Sequence, residues 1–416
     1  MRTSRRLFLR SIAPVGGFAA FFRNLEASAG PPQPQNEAYW RLIQREFPLA
    51  EDLVYLNAAN VCPASRLVLD CHQQFLRDFH SNPSFQNRDK YEPLQERLRA
   101  KLATMLGAEP GEIAVPRNTS EANNVIVTGL DLKPGDEVLI TDHNHPSNND
   151  SWKVRSRREG FTVPSVPVPV PPASRAELLA GFEQALTPRT KVLSVTHVTN
   201  TTGILYPVGE IAAMARRRGI WLHVDGAQSF GALDFRLREL GCDSYAASAH
   251  KWLMGPLEAG VLYVRRDRIP QLWPPVVSAG WADDLKGARK FEMLGQRDNP
   301  RLVAMEAAVD FITLIGMPAV EARMRALADY LKRELSRVAR VRLKTNFEPE
   351  LSAGVIKFSL AGIDTAEAYD TLYERYRLGI AMTSSGDAEG LRFCPHVYNS
   401  FEELDRAVSA VRELAS

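Results

Sequence analysis

The first residue whose type and position suggest chemistry is Lys251, at the end of the string Ser248-Ala249-His250-Lys251. The string follows a short apolar segment, 242–247, that is predicted to form a strand. Ligands of open α/β sheets gather at the carboxyl ends of the strands. A lysine partly shielded from water there can act as a nucleophile. We therefore predict a covalent role for Lys251, against the alternative of a solvated surface charge.

Carboxylate and amide side chains follow two other predicted strands. Asp225 ends the strand 221–224, Gln228 comes three residues later, and Asn200 follows the strand 192–195. A carboxylate at such a place can keep a pyridine nitrogen protonated and so make the ring an electron sink. Gln228 can donate to a phenolic oxygen of the same ring. The alternative for Asp225 is a helix N-cap.

A phosphate site is predicted where a helix begins at Thr119 and Ser120. Backbone N–H groups and hydroxyls at a helix N-terminus bind phosphate readily. Ser248 and His250, just before Lys251, are suited to hold further phosphate oxygens. An ordinary capping box with Glu121 explains the Thr119-Ser120 string equally well.

Six strings in order resemble the class V aminotransferase family of pyridoxal 5′-phosphate (PLP) enzymes, which includes cysteine desulfurases and isopenicillin N epimerase. They occupy residues 55–59, 119–124, 197–203, 224–228, 248–255 and 391–405. The resemblance implies fold type I, with PLP bound to Lys251 as a Schiff base and with Asp225 at the pyridine nitrogen. It also implies that Thr119, Ser120, Ser248 and His250 bind the phosphate, and that Asn200 and Gln228 lie near the ring oxygen.

Three further roles follow from the resemblance. Arg392 matches the arginine that binds the substrate carboxylate, a task suited to a bidentate guanidinium, and Asn57 is assigned to the same substrate site. A histidine is expected to stack on the ring. Its spacing to Asn148 and Trp152 favours His145 over His143.

The sequence also departs from the family pattern. Cysteine desulfurases carry a persulfide-forming cysteine upstream of the arginine, but residues 381–390 contain none, and Cys394 lies downstream of Arg392. Gln296 stands where the family usually has a threonine that reaches the phosphate of a partner subunit. The flanks of Gln296 and the His250-Lys251-Trp252-Leu253 string favour the isopenicillin N epimerase-like branch.

These residues predict an enzyme that acts at Cα of an amino acid or an amino-acid-like substrate. Lys251 is expected to move the Cα proton and Asp225 to support the developing charge. Epimerisation needs a second base, whereas β-elimination, including C–S lysis, and transamination need only one. The reaction stays open among epimerase, lyase and aminotransferase. A PLP-fold binding protein without turnover is the rival from another class, but it has no need to keep Lys251, Asp225 and Arg392 together.

Helical and strand-like segments alternate along the chain, which predicts an α/β fold with a mostly parallel sheet and helices on both faces. Residues 61–298 are assigned to a large PLP-binding domain, and residues 299–416, richer in helices, to a small C-terminal α+β domain. Residues 30–60 are expected to form a linker and N-terminal segment. By resemblance to the family, the protein is expected to be a homodimer.

The first 29 residues are predicted to form a twin-arginine signal peptide. Arg5 and Arg6 precede a modest apolar run, and Ala27-Ser28-Ala29 is a small-residue cleavage pattern. The run is too short and too interrupted to span a bilayer stably. We therefore expect export by the twin-arginine machinery to the periplasm of a bacterium.

Composition narrows the remaining possibilities. The 416 residues are 45% hydrophobic and 24% charged, with a net charge of +2, which is typical of a globular protein and gives no support for nucleic-acid binding. The four cysteines have no metal-ligand spacing, so no metal site is expected. They are predicted to be buried free thiols or to form one incidental disulfide.

Overall fold

A seven-stranded sheet forms the centre of the large domain in this computed structural model, which describes residues 21–25, 27–279, 287–383 and 386–416. The strands run in the order β2-β8-β7-β6-β5-β3-β4. Their bounds are Ile113–Ala114 (β2), Glu137–Thr141 (β3), Ser165–Val166 (β4), Thr190–Thr196 (β5), Trp221–Asp225 (β6), Ser244–Ser248 (β7) and Gly260–Val264 (β8). Neighbours from β4 to β7 pair in parallel, and β8 pairs antiparallel to both β7 and β2. The predicted mostly parallel α/β sheet is confirmed.

Helices cover this sheet because its central strands are apolar on both faces. Every residue of β6, β7 and β8 is buried, which is the pattern of a sheet enclosed between helical layers. The helices up to the sheet's last strand are Glu37–Gln44 (α1), Arg66–Ser81 (α2), Phe85–Arg88 (α3), Tyr91–Leu106 (α4), Thr119–Gly129 (α5), Pro146–Glu159 (α6), Arg175–Ala185 (α7), Val208–Arg217 (α8) and Leu237–Leu240 (α9). Short 3₁₀ helices lie at Pro110–Glu112, Arg266–Gln271 and Gly287–Phe291.

Helix α4 illustrates how local sequence sets an element's end. Its buried face includes Leu94, Leu98 and Leu102, spaced four residues apart. Gly107 follows with φ of 66°, a left-handed conformation that suits glycine and closes the helix. The glycine therefore ends the helix.

A smaller domain contains a four-stranded antiparallel sheet in the order β12-β13-β10-β9. The bounds are Val341–Leu343 (β9), Ile356–Leu360 (β10), Leu378–Gly379 (β11), Ala381–Thr383 (β12) and Gly390–Phe393 (β13), with helices Met317–Ser336 (α11), Thr365–Glu374 (α12) and Phe401–Leu414 (α13). Strand β1, Val54–Tyr55, pairs in parallel with β11. The small domain thus includes a segment from near the start of the chain.

One helix lies at the boundary between the domains. Helix α10, Asn299–Ile315, begins where the boundary was placed, and it packs against α2 and α4 of the large domain. The following helix α11 packs against β9, β10 and α13. No single helix of the described residues is long and apolar enough to cross a membrane; α10 and α11 meet that test only as a pair bent by 78°.

The structure describes only part of the N-terminal region for which predictions were made. Residues 1–20 and 26 of the predicted signal peptide lie outside the described residues, and residues 30–60 contain α1 and β1 as well as loops. The prediction for the cysteines is clearer. Cys62, Cys71, Cys242 and Cys394 are all free and buried, so the thiol alternative is confirmed over a disulfide.

Candidate active site

The candidate site lies at the carboxyl edge of three adjacent parallel strands. Strand β6 ends at Asp225, β7 ends at Ser248 just before Lys251, and Asn200 follows β5. Because β5, β6 and β7 are neighbours and run in parallel, their carboxyl ends meet at one edge. The structure therefore brings these three predicted residues together as the sequence suggested.

Lys251 is partly buried, and the pKa of its amine is lowered. Burial lowers the pKa of its amine, and the positive charge of Arg392 lowers it further, whereas Asp225 opposes both. Within the described part of the chain, no hydrogen bond or ion pair engages its Nζ. A less basic, uncommitted amine is suited to attack an aldehyde.

Asp225 is buried and held at both oxygens. Its Oδ2 accepts a hydrogen bond from Nδ2 of Asn123 at 3.0 Å, and its Oδ1 accepts one from the backbone N–H of Ala227 at 3.0 Å. A turn follows Asp225 in place of a helix, so the N-cap alternative is not what the structure shows. The carboxylate is fixed in orientation at the edge of the sheet.

Thr119 and Ser248 meet at the N-terminus of α5. The backbone N–H of Thr119 donates to Oγ of Ser248 at 2.8 Å, and the two hydroxyls lie 2.6 Å apart. The helix is capped by Asn118, whose Oδ1 accepts from the backbone N–H of Glu121. A Ser or Thr capping box is therefore not formed, and Ser120 is exposed on the first turn. This turn offers hydroxyls and N–H groups to an anion.

His250 has a ring nitrogen that makes no hydrogen bond to the described residues. Its Nδ1 is buried and has no hydrogen-bond partner among the described residues. Burial, reinforced by Lys251, lowers the pKa of its imidazole to about 4, so the ring is neutral at pH 7. Buried polar atoms are almost always satisfied in proteins, so this nitrogen is available to a ligand or to a water molecule.

Gln228 and Asn200 are both tied to neighbouring segments. The side chain of Gln228 donates to the backbone oxygen of Ala59 at 3.0 Å and accepts from Nε1 of Trp252 at 2.7 Å. One of its two amide hydrogens remains for a ring oxygen. Asn200 uses its backbone oxygen, which accepts from Nη1 of Arg392 at 2.5 Å.

The surrounding charges favour His145 over His143 as the histidine of the site. The imidazole of His145 forms the N-cap of α6, where its Nδ1 accepts from the backbone N–H of Ser147. Burial lowers its pKa, and the charges that act on it are those of Lys251, Asp225, Arg392 and Asp150. The charges that act on His143 are instead those of Asp142 and Asp387.

Arg392 on β13 points its guanidinium at the large domain. Its Nη2 donates to Oδ1 of Asn57 at 2.8 Å, in addition to the bond from Nη1 to Asn200. Its Nε is buried and unpaired within the described residues. Asn57, predicted to touch the substrate, holds the arginine directly. The arginine keeps donors free for a carboxylate.

Gln296 is the predicted residue that this chain does not bring to the others. Its Oε1 accepts from Nη1 of Arg88 at 3.1 Å on the surface. In the described part of the chain, no hydrogen bond joins it to Thr119, Ser120 or Ser248. Its assignment to the phosphate of a partner subunit stays a prediction.

Three buried residues at the site were missed by the sequence reasoning. Asn123 bonds Asp225, His223 bonds Asn123, and Lys357 pairs with Arg392 across β10 and β13. Two of them carried a signal. Asn123 lies four residues after Thr119, on the same helical face, and His223 lies two residues before Asp225, on the same strand face.

The polar groups of the site fit PLP. The uncommitted amine of Lys251 suits its aldehyde, and the fixed carboxylate of Asp225 suits its pyridine nitrogen. The unpaired His250 Nδ1 and the start of α5, where Thr119 meets Ser248, suit its phosphate. Among the described residues there is no group of three His, Cys, Asp or Glu side chains that could hold a metal ion.

Relatives with known names resemble the chain over most of its length. It is 31% identical to the isopenicillin N epimerase of Streptomyces clavuligerus, over 91% of this chain and 98% of that protein. It is 32% identical to the isopenicillin N epimerase of Amycolatopsis lactamdurans, over 90% and 98%. A probable cysteine desulfurase of Xylella fastidiosa strain Temecula1 is 27% identical over 93% and 97%.

Solved structures agree in fold. A complex between the cystine C-S lyase C-DES and its product cysteine persulfide matches with a TM-score of 0.81 and 25% identity, covering 88% of this chain and 99% of that one. A mutant of C-DES with glycine covalently linked to the PLP cofactor matches with a TM-score of 0.82 at 24% identity, covering 89% and 99%.

Fold and site together define a PLP-dependent enzyme of fold type I. The profile of the family described as Aminotransferase class-V matches residues 54–407. The chain therefore belongs to the class V aminotransferase family, as the ordered strings predicted.

Proposed function

We propose that the protein epimerises an amino acid or amino-acid-like substrate at Cα, in the manner of an isopenicillin N epimerase. The observation that carries the proposal is the meeting of Lys251 and Asp225 at one edge of the sheet with Arg392, whose guanidinium is bound to Asn200 at that edge and to Asn57. The identity of 31 to 32% with two isopenicillin N epimerases supports the same reaction.

Each side chain has a definite task in this scheme. Arg392, anchored at Nη1 and Nη2, binds the substrate carboxylate with its remaining donors and so orients the Cα–H bond. Lys251 Nζ then removes the Cα proton from one face, and inversion requires that a second group return a proton to Cα from the opposite face. When bound, PLP supplies the electron sink for the charge left at Cα. Asp225 holds the pyridine end of the cofactor in place.

The thiols argue against a desulfurase that works through a persulfide. A persulfide-forming cysteine must be accessible and readily ionised, whereas Cys394 is fully buried and burial raises the pKa of its thiol. Residues 381–390 contain no cysteine. Sulfur transfer through a cysteine of this chain is therefore disfavoured.

A β-lyase that cleaves a C–S bond is the second candidate. The likeness to the cystine C-S lyase C-DES favours it, since that protein is 25% identical over 88% of this chain. Such elimination needs proton removal on one face only, and the same holds for transamination. Both alternatives thus use Lys251 and Arg392 as the epimerase does.

Deuterium exchange with a stereochemical readout separates these reactions. We expect a panel of D- and L-amino acids in deuterium oxide to give at least one substrate whose Cα is labelled and inverted. Label with retention, together with pyruvate or sulfide, would indicate the lyase, and an oxo acid with pyridoxamine phosphate would indicate the aminotransferase. No exchange with any substrate, by a protein that binds PLP, would overturn the proposal.

We also infer that the enzyme works as a homodimer. Three large apolar side chains, Phe85, Trp273 and Val277, are strongly exposed in the single chain, and Gln296 lies beside the same helix as Phe85 through its bond to Arg88. A dimer interface that covers Phe85 and Gln296 would bring Gln296 towards the partner's phosphate. Sedimentation should give about 93 kDa, twice the chain mass of 46.4 kDa, whereas a fully active monomer would contradict the inference.

Export is the third part of the proposal. We infer that Arg5 and Arg6 direct the folded protein through the twin-arginine pathway to the periplasm. Fractionation of cells should find the protein in the periplasm, and changing both arginines to lysine should leave it in the cytoplasm. Periplasmic recovery of that double variant would contradict this route.

A further inference from the structure

A continuous chain of hydrogen bonds runs behind Asp225. The indole N–H of Trp221 donates to Oγ of Ser244 at 2.9 Å, and this hydroxyl lies 2.9 Å from Nδ1 of His223. Nε2 of His223 lies 3.0 Å from Oδ1 of Asn123, whose Nδ2 donates to Asp225 at 3.0 Å. All five residues are buried. Water therefore does not compete for these hydrogen bonds.

Both ends of this chain fix the direction of every bond within it. An indole nitrogen can only donate, and an ionised carboxylate can only accept. Asn123 donates to Asp225 through Nδ2, so its Oδ1 faces His223 and accepts from Nε2–H. A neutral ring with its hydrogen on Nε2 has an acceptor at Nδ1, so Ser244 donates to Nδ1 while it accepts from Trp221. The donors thus all point towards the carboxylate.

The histidine is suited to this single arrangement. Burial lowers the pKa of His223 to about 4, with Asp225 opposing the shift, so the ring is neutral at physiological pH and has one donor and one acceptor. Those two sites match Asn123 and Ser244 in number and direction. If the ring were absent, the Asn123 amide would be free to turn its oxygen towards the carboxylate.

We infer that Asn123 and His223 are positioning residues that hold the Asp225 carboxylate in one orientation, in which it would keep the pyridine nitrogen of PLP protonated. A donor directed at one carboxylate oxygen fixes the plane of the group. The backbone N–H of Ala227 at Oδ1 completes the alignment. This role concerns cofactor binding and holds whichever reaction follows at Cα.

The first experiment measures the cofactor and not the reaction. Holoenzyme is prepared with PLP labelled with ¹⁵N in the ring, for the wild type and for Asn123→Leu, His223→Leu and His223→Gln. We expect the ring nitrogen to be protonated in the wild type and partly deprotonated in both leucine variants, with PLP released about fivefold faster from Asn123→Leu, since one hydrogen bond is worth about 1 kcal/mol. His223→Gln keeps a donor and an acceptor and should restore most of the wild-type values.

A neighbouring asparagine serves as the matched control. Asn124 lies on the same helix, and its amide donates to the backbone oxygen of Ser120 and to Oγ of Ser151. Asn124→Leu should leave the ring-nitrogen signal unchanged. Equal changes in Asn123→Leu and Asn124→Leu, or failure of His223→Gln to recover while its unfolding free energy is normal, would overturn the inference.

The tautomer of His223 gives an independent test that is read in the wild-type protein. With ¹⁵N-labelled histidine in the holoenzyme, we expect the hydrogen on Nε2, an unprotonated Nδ1 that accepts a hydrogen bond, and no titration above about pH 5. His223→Leu identifies the signal. A hydrogen on Nδ1, or a ring that titrates near pH 6.5, would show that the chain does not run towards Asp225.

Discussion

Nη2 of Arg392 donates a hydrogen bond of 2.8 Å to Oδ1 of Asn57, and this bond joins the small domain to the segment that follows β1. Nη1 of the same guanidinium reaches the backbone oxygen of Asn200 in the large domain. The predicted substrate arginine is therefore oriented by two segments from outside its own strand. Its position depends on how the domains meet.

Removing the Asn57 amide should weaken substrate binding more than turnover. Asn57→Ala leaves Arg392 charged but without one of its two anchors, so we expect KM to rise about tenfold with a smaller change in kcat, as for the loss of one charge-assisted hydrogen bond. Steady-state kinetics on the best substrate of the panel measures both. Asn60→Ala, an exposed position close by in sequence, is the control; a similar KM for the two variants would contradict the role given to Asn57.

The pH dependence of PLP capture should report the charges around Lys251. Burial and Arg392 lower the pKa of the amine and Asp225 raises it, and only the neutral amine attacks an aldehyde. The capture rate of the apoprotein should therefore rise with pH to a midpoint below that of a free lysine. We expect Arg392→Gln to move this midpoint up and Asp225→Asn to move it down, as followed by visible absorbance.

The control for that series is an arginine outside the site. Arg406 is exposed and its Nη2 lies 3.5 Å from the backbone oxygen of Asp52, so Arg406→Gln should leave the midpoint where it is. Shifts of Arg392→Gln and Asp225→Asn in the same direction would contradict the electrostatic account.

Because the pKa of Lys357 is lowered in the folded protein, the free energy of unfolding should increase with pH. Burial, reinforced by Arg392 and Lys344, lowers its pKa to about 7, whereas in the unfolded chain it stays near 10.4. Between these values the unfolded state binds more protons, so the free energy of unfolding increases with pH. We expect a rise on the order of 1 to 3 kcal/mol from pH 7 to pH 10 that Lys357→Met lacks. Urea titrations at several pH values measure it, and parallel curves for the two proteins would contradict it.

The thiols should be inert in the native enzyme. Burial raises the pKa of all four cysteines, to about 12 for Cys71 and Cys242. A thiol reagent should therefore label none of them before unfolding and all four afterwards. Cys394→Ala should retain Cα exchange. If the variant lost both Cα exchange and the release of sulfide from cysteine, desulfuration would be favoured.

The residues that sequence reasoning located share a simple geometry. Asp225 and Lys251 follow strands, and parallel strands bring their ends to one edge whatever the details of packing. Arg392 was placed by resemblance alone, since its distance from Asn57 in the chain is 335 residues. No local pattern indicates which loop will meet a strand so far away.

Contacts between particular side chains could not be predicted from the sequence. Thr119 and Ser248 were both assigned to phosphate from separate strings, but their mutual hydrogen bond could not be read from either string. Lys357 was missed because alternation along β10 does not reveal that its neighbour across the sheet is Arg392. Such pairs depend on register, which the fold sets as a whole.

The pairing of β1 with β11 has a consequence for the order of folding. Val54 and Leu378 are register partners although 324 residues separate them, so β1 cannot pair on the ribosome until the residues of β11 have been synthesised. Asn57 follows that strand, and Arg392 comes still later. The carboxylate pocket is thus completed last, after the large domain has had time to form the edge that receives PLP, and a chain truncated in its last 40 residues would leave its own beginning without a place to dock.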